Sequence, residues 1–285
     1  MTNSARAASS AADTDPETTL ITPDAPATQE HSRRRALILR SAGPVLLLAI
    51  WWILSATGVL TDDLLAAPPT VAHSAWELWQ SGQLSDALVV SLGRAGAGLA
   101  LGVATGLALG LLAGTWRIGK DVLDSAMQTL RALPFLSLVP LFMVWFGIGE
   151  SARIVLIAVA TTFPMYVSTS GGVQNTDRKL LESARVFGMR PWTVIRKIVL
   201  PGALPSLFSG LRLSTTLSVI ALIAAEEINV TAGLGYLMSQ AQNFSRTDIL
   251  TVVIIIYGLI GLIADVVIRG IERLMMPWLR AGGAR

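Results

Sequence analysis

Hydrophobic residues run along this chain in blocks, not in alternation. Apolar stretches occupy about 41–60, 92–114, 127–147, 152–172, 207–227 and 249–270. Each approaches the roughly 20 residues that a helix needs to cross bilayer hydrocarbon. Backbone amides and carbonyls find no partner in lipid, so runs of this kind read as helices. The pattern predicts an all-α, polytopic membrane protein with six transmembrane helices. Residues 1–35 differ, being rich in Ser, Ala, Thr, Pro, Asp and Glu and lacking apolar periodicity. They predict a disordered tail ahead of a membrane domain over 36–285. The stretch SRRRALIL has a twin-arginine look, but the spans that follow favour a retained anchor.

Composition agrees with the pattern. The chain is 52% hydrophobic and 14% charged, against about 25% charged for an ordinary soluble domain. There is no cysteine, which excludes disulfides and thiolate metal sites, and His31 and His73 alone offer little for a histidine centre. No nucleophile–histidine–acid set is available for hydrolysis, which argues against an embedded enzyme. The basic pI of about 9.7 marks loops on one side of a membrane and does not call for nucleic acid.

Charge placement gives an orientation. With the N-terminus inside, 19 of the 22 Lys and Arg residues fall in inside segments, leaving Arg94, Arg153 and Arg246 outside. Both termini and the basic stretch from Arg178 to Arg212 are then cytoplasmic. The second span carries Gly98, Gly102, Gly106, Gly110 and Gly114 at every fourth position. Such spacing lets helix backbones approach closely, for tight packing within one subunit or for a sliding contact. At 3.6 residues per turn the stripe drifts, so it predicts contact with more than one neighbour.

Two phosphate-loop lookalikes carry nothing. GTWRIGKD has Asp121 where a magnesium-ligating hydroxyl belongs, and GIGESA (147–152) lacks a βαβ setting. The segment LLESARVFGMRPWTVIRKIVLPGALP (180–205) is more informative. Asp177 suits a helix start, and Leu181, Ala184 and Phe187 share one helical face. Gly188 suits a left-handed helix end, and Pro191 the first turn of a second short helix over 191–199, with Trp192, Ile195 and Val199 on one side. Pro201 and Pro205 are expected to stop that helix and turn the chain back into the membrane. Pattern alone leaves two readings of this hairpin, a loop hugging anionic lipid or a docking site for a cytoplasmic protein.

Glu182-Ser183-Ala184, then Gly188 after three residues, then Ile198-Val199-Leu200-Pro201 after nine, resembles the E-A-A-x3-G-x9-I-x-L-P signature of permease subunits of binding-protein-dependent ABC importers. Ser183 replaces the usual second Ala, a small-for-small change. Similarity extends over about 65–280, where LRALPFLSLVPLFMVWFGIGESARI, AAEEINVTAGLGYLMSQAQNFSRTDIL and DVVIRGIERLMMPWLR look like the branch importing sulfonates, taurine and nitrate, the aliphatic sulfonate permeases in particular. The resemblance implies the type I importer permease fold and a coupling hairpin at about 175–205. Glu182, Ser183, Ala184 and Gly188 would then meet an ATPase, while Ile198, Leu200 and Pro201 fix the re-entry. It further implies a second permease copy, two cytoplasmic ATPase subunits holding ATP and Mg, an extracytoplasmic substrate-binding protein, and a place in a bacterial inner membrane. This chain would itself bind no cofactor and no nucleic acid.

Under that resemblance the central helices line the pathway, with hydroxyls at Thr161, Thr162, Thr215, Thr216 and Ser218 as candidates to hydrate an anion. The alternative is that they bond their own carbonyls. Glu226 and Glu227 stand at the outer end of the fifth span, to meet the binding protein or to pair with Arg246 or Arg153. Arg94 reads as snorkelling to headgroups, and Asp265 with Arg269 as a local ion pair. Taurine, nitrate or a pyrimidine precursor remain alternative cargoes. An ion-coupled transporter would show paired intramembrane acids and an inverted repeat, and the sequence has neither.

Overall fold

The computed structural model describes residues 42–43, 45–227 and 230–276. The expected tail (1–35), with its arginine triplet, and the basic residues Arg280 and Arg285 lie outside the described residues. The chain divides into two compact units, Met1–Trp51 and Trp52–Arg285. Helix α1 (Val45–Ala56) begins in the first, and everything below concerns the second.

Every regular element among the described residues is helical. Helix α2 (Pro68–Gln80) opens with proline in its first turn, where a missing N–H is harmless. Left-handed Gly82 (φ +78°) separates it from α3 (Gln83–Thr115). Then come α4 (Arg117–Ala132), a 3-10 turn (Phe135–Leu138), α5 (Val139–Phe146), α6 (Glu150–Gln174) and α7 (Arg178–Val186). A 36-residue helix, α8 (Pro191–Glu226), leads to α9 (Leu234–Asn243) and α10 (Thr247–Met275).

Among the described residues, four helices are long and apolar enough to cross a membrane: α3, α6, α8 and α10. They cover the second, fourth, fifth and sixth expected spans. The first is represented by α1, whose described helix has 12 residues. The third is not one helix. It breaks at Leu133, which is extended (φ −76°, ψ 128°), because the residue before a proline is pushed out of the helical region and Pro134 has no N–H to offer. A second proline, Pro140, sits in the first turn of α5, so the span is two half-helices joined by a 3-10 turn.

Prolines act differently at the start of α8, and here the sequence expectation is corrected. Pro201 and Pro205 do not stop the helix. It runs on through both to Glu226, with a π-helical segment at Ile195–Val199. The Leu200 amide reaches back to the Ile195 carbonyl, widening the turn just ahead of Pro201. That local adjustment absorbs a proline that a regular α-helix would reject.

The core is a layer of α3 on α6 and α6 on α8. All five stripe glycines face α6, so the expected drift to several neighbours is also corrected. Gly98 meets Ile157, Gly102 Thr161, Gly106 Met165, Gly110 Thr169 and Gly114 Val173, each partner advancing four residues with its glycine. The two helices therefore run parallel. A four-residue repeat outruns the 3.6-residue turn, and winding the helices about each other keeps the stripe on one partner. A Cβ on Gly106 would lie 2.5 Å from the Thr162 carbonyl oxygen, and one on Gly110 2.8 Å from that of Tyr166. Large apolar side chains stay exposed along α10, among them Leu259, Leu262, Ile263, Val266 and Val267. Water is a poor solvent for such a face and hydrocarbon a good one.

Candidate functional site

The hairpin between α6 and α8 is built by local rules. Asp177 caps α7, its carboxylate accepting from the Lys179 amide at 2.9 Å. At the other end Gly188 is left-handed (φ +62°). The Gly188 amide bonds the Arg185 carbonyl and the Met189 amide the Ala184 carbonyl, both at 3.0 Å, the double closure of a Schellman motif. Arg190 is extended, and Pro191 starts α8, as expected. Ala184 is buried and Leu181 half-buried, while Glu182, Ser183 and Gly188 are exposed. Phe187 departs from its expected face: it is 81% exposed, beside Val186 at 85%. On α8, Trp192 is 72% exposed, Val199 is buried, Ile198 and Leu200 are half-buried and Pro201 is exposed. The result is an apolar tip of Val186, Phe187 and Trp192 flanked by exposed Arg185, Arg190, Arg196 and Lys197.

The candidate pathway hydroxyls are mostly engaged with backbone. Thr161 is buried and bonds the Ile157 carbonyl at 2.9 Å; Thr162 bonds that of Ala158 at 2.7 Å. Thr215 bonds the carbonyl of Leu211 at 2.8 Å, Thr216 that of Arg212 at 3.2 Å, and Ser218 that of Thr215 at 2.8 Å. Such bonds are the usual fate of helical hydroxyls in apolar surroundings. Thr162 also shares a 2.8 Å bond with Thr105 and lines a cleft, and Thr216 is exposed.

At the end of the bundle away from the hairpin lies a polar cluster that sequence reasoning missed. Arg94 does not snorkel. It is 3% exposed, its Nε and Nη2 donating to both Glu150 oxygens at 2.5 and 2.6 Å and its Nη1 to Glu226 at 2.5 Å. Glu226, 1% exposed, pairs with neither Arg246 nor Arg153. Besides Arg94 it accepts from the Ser91 hydroxyl at 2.7 Å, the Tyr257 hydroxyl at 2.8 Å and the Gly235 amide at 3.0 Å. A carboxylate this deep is tolerable only with its lone pairs met by donors and its charge paired. Gly233 (φ +103°) makes room for it, since a Cβ there would sit 2.6 Å from Arg94 Nη1 and 2.7 Å from Glu226 Oε1. The only sequence signal was the GLG triplet (233–235) seven residues after an acid at the end of an apolar span. It could not say which arginine would answer.

Other ion pairs tie down each end. Arg246 and Asp248 bond at 2.7 and 2.9 Å, and Ser74 donates to Asp248 at 2.6 Å. At the hairpin end Asp265 pairs with Arg269 at 2.7 Å, as expected, and Arg212 of α8 joins Glu272 and Asp265 of α10. No group of three His, Asp or Glu residues among the described ones could hold a metal.

The family model described as "binding-protein-dependent transport system inner membrane component" matches residues 106–277, a span that takes in the hairpin. The chain is 42% identical over 235 residues to the putative aliphatic sulfonates transport permease protein of Escherichia coli (strain K12), covering 82% of this chain and 89% of that protein. Its namesake in Bacillus subtilis (strain 168) is 37% identical over 235 residues, 82% of this chain and 85% of its own. The taurine transport system permease protein of Escherichia coli (strain K12) is 29% identical over 261 residues, 87% of this chain and 95% of its own. Among solved structures, the MetNI methionine ABC transporter in an inward-facing conformation aligns with TM-score 0.54 at 22% identity, over 66% of this chain and 95% of that one. An amino acid ABC transporter with histidines aligns with TM-score 0.56 at 18% identity, over 69% and 96%. At those identities the likeness is one of fold.

Proposed function

The chain belongs to the inner membrane components of binding-protein-dependent transport systems, and on that premise we propose that it is the permease of an ATP-driven importer for aliphatic sulfonates. Two copies form the pore, and a separate extracytoplasmic protein delivers the substrate. ATP and Mg are held by two cytoplasmic ATPase subunits that grip the hairpin. Closure of the ATPase pair draws the hairpins together and opens the pore outward; hydrolysis resets it.

One observation carries the coupling assignment. The hairpin presents Val186, Phe187 and Trp192 to its surroundings on a backbone rigidly closed at Gly188. An exposed apolar tip with a basic rim suits a protein groove with acidic margins better than it suits water. Glu182, Ser183 and Gly188 lie on that surface, and Ile198, Leu200 and Pro201 set the angle at which α8 leaves it. The relatives named for aliphatic sulfonates, at 42% and 37% identity, favour that cargo over the 29% taurine relative.

Gly188 provides the test. No atom lies within 4 Å of where its Cβ would be, so a substitution there strains only the left-handed backbone and whatever docks on it. Gly188→Val is expected to lose ATPase copurification and sulfonate uptake together, because a β-branched residue resists φ +62°. Gly188→Asn, which tolerates that region, retains most of both. Unchanged copurification and uptake in Gly188→Val would remove the coupling role. Competition of labelled uptake by alkanesulfonates, taurine, nitrate and a pyrimidine precursor identifies the cargo.

A further inference from the structure

The break in the third expected span opens a cleft of about 440 Å3 between α4, the 3-10 turn, α6 and α8, within the roughly 300–1,000 Å3 of ordinary small-ligand sites. Non-helical backbone at membrane depth is tolerated only where it lies inside protein or borders a polar cavity, and Leu133 and Leu138, at the break, both line this one. Arg131 also lines it. Charge counting placed this arginine on the inside, at the start of the expected span 127–147, and its guanidinium stands 5.3 Å above the ring of Phe163, near the middle of the 25-residue α6. No carboxylate among the described residues pairs with it. Arg131 is exposed on the cleft wall, so its guanidinium can meet an oxyanion there while its face stays on the aromatic ring. Thr162 of α6 also lines the cleft, its hydroxyl donating to the Ala158 carbonyl, and the rest of the lining is apolar, including Leu130, Leu213 and Leu217.

We propose that this cleft is a substrate subsite of the permease, in which Arg131 receives the sulfonate head and the leucines of α4 and α8 receive the alkyl tail. The inference rests on the sulfonate reading above and adds where in the chain the anion is recognised. A guanidinium offers two parallel N–H donors to an oxyanion, and the mismatch between one charged wall and an apolar remainder is that of an alkanesulfonate itself. Weak binding suits the role, since a transport subsite must also release its cargo.

The test is ATP-driven uptake of methanesulfonate and of 1-hexanesulfonate by the full permease–ATPase complex in proteoliposomes, with saturating binding protein. Arg131→Gln is expected to slow both by about tenfold or more, the loss of one charge-assisted contact, in complexes that still copurify with the ATPases. Arg131→Lys recovers much of the rate. Leu217→Ala slows hexanesulfonate about threefold more than methanesulfonate, as loss of buried methylenes requires. Wild-type rates in Arg131→Gln, or equal loss in the Gln and Lys variants, overturn the inference and leave the sulfonate reading standing. A phospholipid retained by the wild-type complex and lost from Arg131→Gln in native mass spectrometry, with uptake unchanged, gives the cleft to lipid and overturns it too. If an intact wild-type complex moves neither sulfonate, the cargo reading fails and takes this subsite with it.

Discussion

Glu226 and Arg94 sit on different helices, 132 positions apart, yet neither could remain buried without the other. Their bond is one of several that converge there: α3 supplies Arg94 and Ser91, α6 Glu150, α10 Tyr257, and the start of α9 a backbone amide. Removing one partner strands the opposite charge in a low-dielectric interior, which costs about 3–5 kcal/mol. Arg94→Met is therefore expected to unfold at markedly lower temperature in detergent, with Arg94→Lys intermediate because it keeps the charge but not the two-pronged bond to Glu150. An Arg94→Met protein as stable as wild type would mean that water or lipid, and not this pair, satisfies Glu226. Neither residue advertised its role. An arginine at the start of an apolar span and a glutamate at the end of another both look like interfacial residues until the helices are assembled.

Among elements, α3 shows most plainly how a sequence device becomes a contact. Its glycines stand on the face toward α6, whereas Gly93 and Gly96 of the same helix have nothing within 4 Å of an added Cβ. That contrast makes a paired prediction. Gly106→Ala drives a methyl into the Thr162 carbonyl and is expected to cost about 1–3 kcal/mol as the helices separate. Gly96→Ala is expected to gain about 0.5–1 kcal/mol by removing a flexible residue from a helix interior. Thermal unfolding of both variants reads the difference directly, and equal effects would show that the stripe is not the packing surface. The third expected span and the start of α8 teach the complementary lesson about proline. Pro134 breaks its helix and Pro201 does not, although each lies in an apolar run. What differs is the backbone ahead of them, an extended Leu133 in one case and a π-helical turn in the other.

For the whole molecule, the hairpin and the Arg94 cluster lie at opposite ends of the same helices, so any motion of one against the other must pass along α6 and α8. Orientation is open to a direct measurement, because the chain has no cysteine of its own. Phe187→Cys, at the hairpin tip, is expected to react with a membrane-impermeant maleimide only when the cytoplasmic face is accessible. Asp63→Cys, between α1 and α2, is expected to react in intact cells stripped of their outer barrier. The reverse pattern would invert the topology that the Lys and Arg distribution implies.

Hydropathy by itself determined that the chain is helical and membrane-embedded, because lipid leaves the backbone no other economical way to pair its polar groups. Local chemistry by itself determined the hairpin, since Asp177, Gly188 and Pro191 act on neighbours a few residues away and need no distant partner. Its signature spacing was legible for the same reason. The tertiary structure decided everything that depends on which helix faces which. It set all five glycines of α3 against α6, carried α8 through its prolines, split the third span, and placed Arg131 on the wall of a cleft. It also joined Arg94 to Glu226. These outcomes turn on side chains far apart in sequence meeting in a medium where an unpaired charge or a misplaced methyl is costly, and no local pattern records such a meeting.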